Sequence, residues 1–422
     1  MSQTWMRLDN AAKIFPAVRR RDWSNVFRLS ATLTEPVDPQ ILQQAVEQAA
    51  PRFPSMLVGL HRGMFWYYLQ RVSQPPQVHQ DGACPLIHMT RREMRRCAIR
   101  VLYYHNRIAV EFFHALTDGN GGLIFLKTLT AAYLSLAQGV TISPGQGVLD
   151  LRQPPQPQEL EDSFQQVAGR VPLSRREPSA LHLDGRRELG AFLHLTVATV
   201  PTEQLKAAAH RYRCSVTAFL SAVMLQAILA VAPGRRGRKW AKVAVPVDLR
   251  RLFPSQTLRN FALTVSVGVD PRLGSYTLQE LCKVVQGQLD SQVTPQQMAA
   301  RVAANVKPER SLALKIAPLP LKNLIMRLVY RVSGESKGTL NISNLGLTQL
   351  PPEMAPWVEY LDFIIGPQAT YYNNCSVLSF GQWTRINLIR SLVSPALERA
   401  FLTALVELGL SVQVDSNGRK EP

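Results

Sequence analysis

The chain has 422 residues, 46% of them hydrophobic and 18% charged. That balance excludes intrinsic disorder, which needs few apolar residues and a high net charge, and it leaves room for two globular domains of roughly 150 to 250 residues each. Its 48 basic against 30 acidic residues give a formal charge of +18, a surplus that suits partners carrying phosphate or carboxylate and equally suits solvated faces.

The elements follow from hydrophobic period. After the segment Arg7 to Phe15 (RLDNAAKIF), the stretch Trp23 to Thr34 alternates Val26, Arg28, Ser30 and Thr32 with Phe27, Leu29, Ala31 and Leu33, which predicts a strand. Asp38 as cap and Pro39 in the first turn predict a helix from Gln40 to Ala50. Phe65 to Leu69 reads as an aromatic strand. From Arg107 to Phe113 the alternation returns, so His114 is expected at a strand end, and apolar residues from Leu123 to Leu136 recur at helical spacing. His114 and Asp118 therefore flank a turn between strand and helix, with Asp118 near the helix N-terminus, where a carboxylate is favoured.

Pro144 to Pro157 has no hydrophobic period. It predicts either a crossover over 151–190, separating halves at 1–150 and 191–422, or a surface excursion within one domain. The second half opens with a strand from Phe192 to Thr199 and a helix begun by Pro201-Thr202-Glu203-Gln204. A buried helix ending near Ala232 follows, capped by Ser215 or Thr217; it is short for a membrane span and interrupted by polar residues. Strands are expected at Val243 to Val247 and Ala262 to Val269, and helices at Leu278 to Leu289 and Gln296 to Val306. Leu312 to Val332 is apolar and basic; it reads as a core helix with a wet edge, the alternative being a membrane-surface helix. Strands at Thr339 to Asn344, Val358 to Ile365, Ser376 to Phe380 and Thr384 to Arg390 precede a last helix, Pro395 to Leu408. Alternating strands and helices predict an α/β fold with mixed sheets.

Five scattered cysteines without a C-x-x-C pair predict reduced thiols, and the N-terminus lacks a charged head followed by an apolar run, so a cytoplasmic protein is expected. Basic clusters occur at Arg19 to Arg21, at Arg91-Arg92 with Arg95-Arg96, and at Arg235-Arg236 with Arg238-Lys239, none on a recognisable nucleic-acid module. The other histidines lack metal-binding spacing, and no phosphate-cradling glycine loop is found.

His114 is the leading candidate for chemistry, because an imidazole at a strand end facing a cleft has the intrinsic pKa and the reach to take a proton from a hydroxyl. The pattern His114-x-x-x-Asp118-Gly119 resembles the signature of the acyltransferase superfamily that includes chloramphenicol acetyltransferase, peptide-synthetase condensation domains, plant acyltransferases and alcohol acetyltransferases. RLDNAAKIF, a strand, a helix, Arg52-Phe53-Pro54 and Phe65-Trp66-Tyr67-Tyr68 together resemble the start of bacterial alcohol acetyltransferase-like proteins. The resemblance implies two chloramphenicol-acetyltransferase-like domains in a pseudo-dimer with a substrate tunnel between them. It also implies that His114 is the general base for an alcohol or amine attacking an acyl thioester, without a covalent acyl-enzyme.

It further implies that Asp118 turns away from substrate to pair with an arginine in Val247-Asp248-Leu249-Arg250, Arg250 first and Arg251 as alternative. Gly119 is expected where the chain turns sharply and a side chain would crowd substrate. Asn260, and Ser343 and Asn344 in Asn341-Ile342-Ser343-Asn344-Leu345-Gly346, resemble family positions that line the tunnel or fix its walls. The implied co-substrate is acyl-coenzyme A or the thioester of an acidic acyl carrier protein, with a small alcohol or amine as acceptor and no resident cofactor or metal.

Phe113 replaces the first histidine of the doubled-histidine version, and Phe380-Gly381-Gln382-Trp383 matches the plant D-F-G-W-G only in part, with Ser379 where Asp stands. Both departures point to the alcohol acetyltransferase-like group. Two other classes stay open. One is a serine hydrolase using Ser336 in Gly334-Glu335-Ser336-Lys337-Gly338, although a nucleophile elbow needs a strand before and a helix after, the reverse of the order expected here. The other is a non-catalytic basic module binding a carrier protein or nucleic acid.

Overall fold

A computed structural model describes residues 5–19, 25–169, 171–172, 177–232, 239–309, 311–333, 335–368 and 370–418. Arg20 and Arg21, Arg235, Arg236 and Arg238 of the basic clusters, Gly334 of the G-x-S-x-G match, and Trp23 of the first expected strand lie outside the described residues.

Among the described residues three sheets, two of them mixed, confirm an α/β architecture. The five-stranded sheet runs Val358–Ile365, Val26–Leu33, Arg107–Phe113, Ile99–Tyr104, Val78–Gln80, with only the last pair parallel. The seven-stranded sheet runs Ala262–Val269, Ala241–Asp248, Leu340–Thr348, Asn373–Phe380, Trp383–Arg390, His194–Pro201, Gln413–Ser416, with Leu340–Thr348 parallel to both neighbours. A three-stranded sheet joins Trp5–Arg7, Tyr67–Arg71 and Val58–Arg62. Val358–Ile365 comes late in the chain yet pairs antiparallel with Val26–Leu33, so the two halves are stitched together through a shared sheet. Arg28, buried in the middle of Val26–Leu33, is ion-paired with Asp81 and Glu111, both at 2.7 Å, as a charge at that depth requires.

Helices cover the sheets with their apolar faces. Pro39–Ala49 starts where expected, its cap Asp38 accepting from the Gln40 and Ile41 amides at 2.7 and 3.1 Å. Val216–Val231 forms the centre of the second core and is capped by Ser215, not Thr217, through the Ala218 amide at 3.2 Å. Among the described residues no single helix is long and apolar enough to cross a membrane.

The structure corrects several boundaries. The aromatic strand lies at Tyr67–Arg71, because Gly63 to Trp66 close a hairpin, the Gly63 amide donating to the Trp66 carbonyl at 2.9 Å. Leu312 to Val332 is two helices, Leu312–Ile316 and Leu319–Ser333, separated at Pro318. The second is not a core helix with a wet edge, since Leu321, Leu324 and Leu328 all face solvent.

The helix after His114 begins at Gly119 instead of Leu123, so the three glycines lie within its first turns. Gly119 does not have a positive φ, so no left-handed turn requires it. Sterics explain the glycines instead. A Cβ on Gly121 would stand 2.2 Å from Thr117 Oγ1 and 2.3 Å from the Leu258 carbonyl oxygen, a backbone atom that has no rotamer to escape into. Gly121→Ala is accordingly expected to destabilise the fold by about 1–3 kcal/mol or more, read as a lower urea midpoint. Gly119→Ala meets only the tips of Leu345, at 2.8 Å, and Phe363, and is expected to be the milder change.

Candidate active site

The Arg107–Phe113 strand delivers His114 to the end of the five-stranded sheet, where its amide donates to the Asn25 carbonyl at 2.8 Å. The ring lies against Phe15 at 4.5 Å in a stacked pair, and Phe27 meets it edge-on at 5.1 Å. His114 lines a cavity of about 660 Å³ bounded by both halves of the chain, including Asn10, Asn120, Asn260, Ser343 and Phe363. Enclosure by protein disfavours the charged ring and pulls the His114 pKa below the ordinary histidine value, against smaller opposing effects from its own carbonyl, Asp118 and Asn260. At neutral pH the ring is therefore an unprotonated imidazole, the form that accepts a proton.

Which nitrogen accepts is fixed by a chain of hydrogen bonds. Asn260 Nδ2 donates to Asp9 Oδ2 at 3.3 Å, which leaves Asn260 Oδ1 as the acceptor for His114 Nδ1–H at 3.1 Å. Nε2 is thereby the basic atom. Asp9 belongs to the opening RLDN segment and was not singled out from sequence; 251 positions separate it from Asn260. Its other oxygen accepts the Ala12 amide at 2.7 Å, and Arg259 Nε stands 3.7 Å from Oδ2.

Asp9 is wholly buried, and desolvation pushes its pKa up to about 6 despite the attraction of Arg259. Because the folded value exceeds the unfolded one, the Asp9 contribution to stability is greatest in acid and is lost as pH rises through about 6, a change of about 3 kcal/mol. Asp9→Asn cannot titrate. Urea unfolding from about pH 8 to about pH 4 is expected to show the variant missing that increment relative to the native protein.

Asp118 is a structural carboxylate here. Oδ1 caps the following helix through the Gly121 amide at 3.0 Å, while Oδ2 accepts from the Phe261 amide at 2.7 Å and Arg250 Nη1 at 2.8 Å. Arg250 is the partner; Arg251 is exposed and lies near Gly346 instead. The Arg250 fork also holds the Thr257 carbonyl through Nε and Nη2, at 3.0 and 2.8 Å, and the Arg259 carbonyl through Nη2 at 2.7 Å. It thus fixes the loop that presents Asn260. Thr117 Oγ1 adds a further bond to the Leu258 carbonyl at 2.6 Å.

Of the remaining expected residues, Ser343 lines the cavity in a largely buried position. Asn344 also reaches the cavity wall, but its amide is committed, Nδ2 to Thr217 Oγ1 at 3.1 Å and Oδ1 to the Gly346 amide at 2.8 Å. It shapes the irregular end of its strand, where the pairing register shifts between Asn344 and Leu347. Gly119 borders the cavity, and the residues its Cβ would meet, Leu345 and Phe363, border it too.

No protein-family profile matches the sequence, and no curated protein sequence matches it. Solved structures do match in three dimensions. The chain is similar to TRI101 of Fusarium sporotrichioides complexed with coenzyme A and T-2, at a TM-score of 0.61 and 12% identity over 99% of this chain and 100% of that one. It is similar to the first condensation domain of the calcium-dependent antibiotic synthetase, at 0.61 and 13% over 98% and 100%, and to polyketide synthase associated protein 5 of Mycobacterium tuberculosis, at 0.60 and 12% over 95% and 96%. The chain has the acetyltransferase and condensation-domain fold.

Within that fold the G-x-S-x-G match does not form a nucleophile elbow. The helix Leu319–Ser333 precedes Ser336 and the strand Leu340–Thr348 follows it, the reverse of the elbow order, and Ser336 is not among the residues lining the cavity. Among the described residues no cluster of His, Cys, Asp and Glu is arranged to hold a metal ion.

Proposed function

We propose that the protein is an acyltransferase of the alcohol acetyltransferase-like group, moving an acyl group from a thioester, acyl-coenzyme A in the first instance, to an alcohol or amine. The observation that carries this reading is the Asp9–Asn260–His114 chain, which engages Nδ1 and leaves Nε2 as the basic atom of a neutral imidazole that lines a cavity bounded by both halves of the fold. The halves correspond to 1–150 and 191–422 joined by a crossover over 151–190, with Val358–Ile365 exchanged into the first sheet.

In this mechanism the acceptor hydroxyl donates its proton to His114 Nε2 as its oxygen attacks the thioester carbonyl. The resulting tetrahedral adduct carries an oxyanion, and in this proposal Ser343, which lines the same cavity as His114, donates to it. Collapse of the adduct breaks the carbon–sulfur bond, and the thiolate takes the proton back from His114, so ester and free thiol are formed and the enzyme is regenerated. Asp118, Gly119, Arg250 and Asn344 act on walls and loops; Asn260 and Asp9 hold the tautomer. Similarity to a structure holding coenzyme A supports that donor. The arginine surplus supports equally an acidic acyl carrier protein as its source.

Thiol release from a panel of acyl-coenzyme A esters, with and without pooled alcohols and amines, tests the proposal. Acceptor-dependent release supports it. Release that ignores acceptors indicates a thioesterase, and no release with coenzyme A or carrier-protein donors removes the enzyme reading altogether.

A further inference from the structure

The helix Leu319–Ser333 has two apolar faces. One includes Met326 and Tyr330 and forms part of the cavity wall. The other carries Leu321, Leu324 and Leu328, spaced three and four residues apart on one stripe, with Leu324 and Leu328 54% and 57% exposed. Single exposed leucines are ordinary, but a continuous stripe of them is not.

The stripe has neighbours of the same kind. Exposed Met64 and Phe65 sit at a hairpin tip bound to the start of this helix, where the Leu319 amide donates to the Met64 carbonyl at 3.1 Å and Lys322 Nζ to the Phe65 carbonyl at 3.0 Å. Lys322 Nζ donates also to the Lys315 carbonyl at 3.2 Å, which brings in exposed Ile316 from the preceding helix. One buried ammonium, itself held 3.7 Å from the Trp66 ring, thus ties together three elements that each carry exposed apolar side chains.

Charge decides what such a surface meets. Residues 311–333 include Lys315, Lys322, Arg327 and Arg331 and no carboxylate. Lys315, Arg327 and Arg331 are exposed. An acidic protein partner calls for cations at the centre of the contact. Here large aliphatic side chains hold the centre and the exposed cations flank it, Arg327 while donating to the Ala17 carbonyl at 2.6 Å, the pattern of a helix lying in a lipid interface with leucines in the acyl boundary and basic groups at the headgroups. Ile325 and Val329 are exposed on this surface and also line the cavity, so the apolar wall continues outward into the patch.

We infer that the helix Leu319–Ser333 and the Met64–Phe65 hairpin tip dock on an anionic lipid surface, with the cavity opening beside it. Binding does not depend on the chemistry assigned to His114 and is measured without turnover. The full chain is floated with vesicles of phosphatidylcholine mixed with phosphatidylglycerol, and with pure phosphatidylcholine as the comparison. The native protein is expected to bind the anionic vesicles much more tightly than the neutral ones. Leu324→Ser with Leu328→Ser, both outside the cavity lining, is expected to weaken binding about 100-fold. Lys315→Gln with Arg331→Gln is expected to weaken it about 5-fold per charge on anionic vesicles only. Near-ultraviolet circular dichroism checks that each variant is folded. No vesicle binding by the native protein overturns the inference, as does equal binding by the folded double-serine variant. Capture of an acidic carrier protein through these residues, with vesicles ignored, assigns the surface to that partner and overturns it as well.

Discussion

His114→Ala is expected to lower kcat for acyl transfer by about 10²- to 10⁴-fold, the range that a positioned general base contributes, while KM for the thioester changes little. His114 is one of many residues lining the cavity, so its loss removes a proton acceptor and leaves most of the cavity wall in place. The native pH profile supplies an independent check. Since enclosure depresses the His114 pKa, kcat/KM is expected to stay level through neutrality and to fall only below the ordinary imidazole value of about 6.5, as Nε2 becomes protonated. An acid limb centred above that value, or a His114→Ala variant with native kcat, rules out the base. Asn260→Leu distinguishes tautomer control from mere packing. It leaves His114 in place but strips the Nδ1 partner, so kcat is expected to fall with the thioester KM largely unchanged.

His114 and Asp118 were legible in sequence because the signals around them are local. Seven alternating residues set a strand, and a helical period begins a few residues later, so the turn between them is fixed without any tertiary information. Arg250 was legible only through resemblance, since nothing local ties it to a carboxylate 132 positions away. Asp9 shows the limit most clearly. The RLDN segment was visible as a motif, yet its carboxylate acquires a role only when the fold carries it to Asn260, and burial then does the rest by desolvation. A carboxylate between Leu8 and the Ala11-Ala12 pair was the one hint that it enters a core. Gln413–Ser416 was missed because all four residues are exposed, so no apolar period marks that edge strand. The helix Leu319–Ser333 was misread for the opposite reason: hydropathy reports that a face is apolar and says nothing of whether the fold covers it. The sequence leaves open whether Asn344 lines the tunnel or fixes its walls; it borders the cavity with its amide committed to Thr217 and Gly346, a partner choice that only three-dimensional placement decides.

Arg250→Ala is expected to cost about 3–5 kcal/mol of stability, because it strands the Asp118 carboxylate in a site where that charge is almost fully buried. The Phe261 and Gly121 amides still donate to Asp118, at 2.7 and 3.0 Å, but they carry no compensating charge. The same substitution releases the Thr257 and Arg259 carbonyls, so the loop that presents Asn260 loses one of its anchors and holds Asn260 less firmly against His114 Nδ1. Stability and catalysis separate in Arg250→Lys. An ammonium restores a positive charge beside Asp118 and recovers much of the stability, measured by urea unfolding. It cannot reproduce a planar fork that reaches the Asp118 and Asp248 carboxylates and two carbonyls at once, so kcat is expected to stay well below native in a folded protein. Native kcat in Arg250→Lys would show that charge alone suffices and that the fork does not position Asn260. Asp118→Asn completes the comparison: the Asp118→Asn/Arg250→Ala double variant is expected to be less destabilised than the two single changes added together, since the carboxylate that Arg250→Ala strands is absent from it, whereas Asp118→Asn alone still leaves Arg250 paired with Asp248 at 2.9 Å.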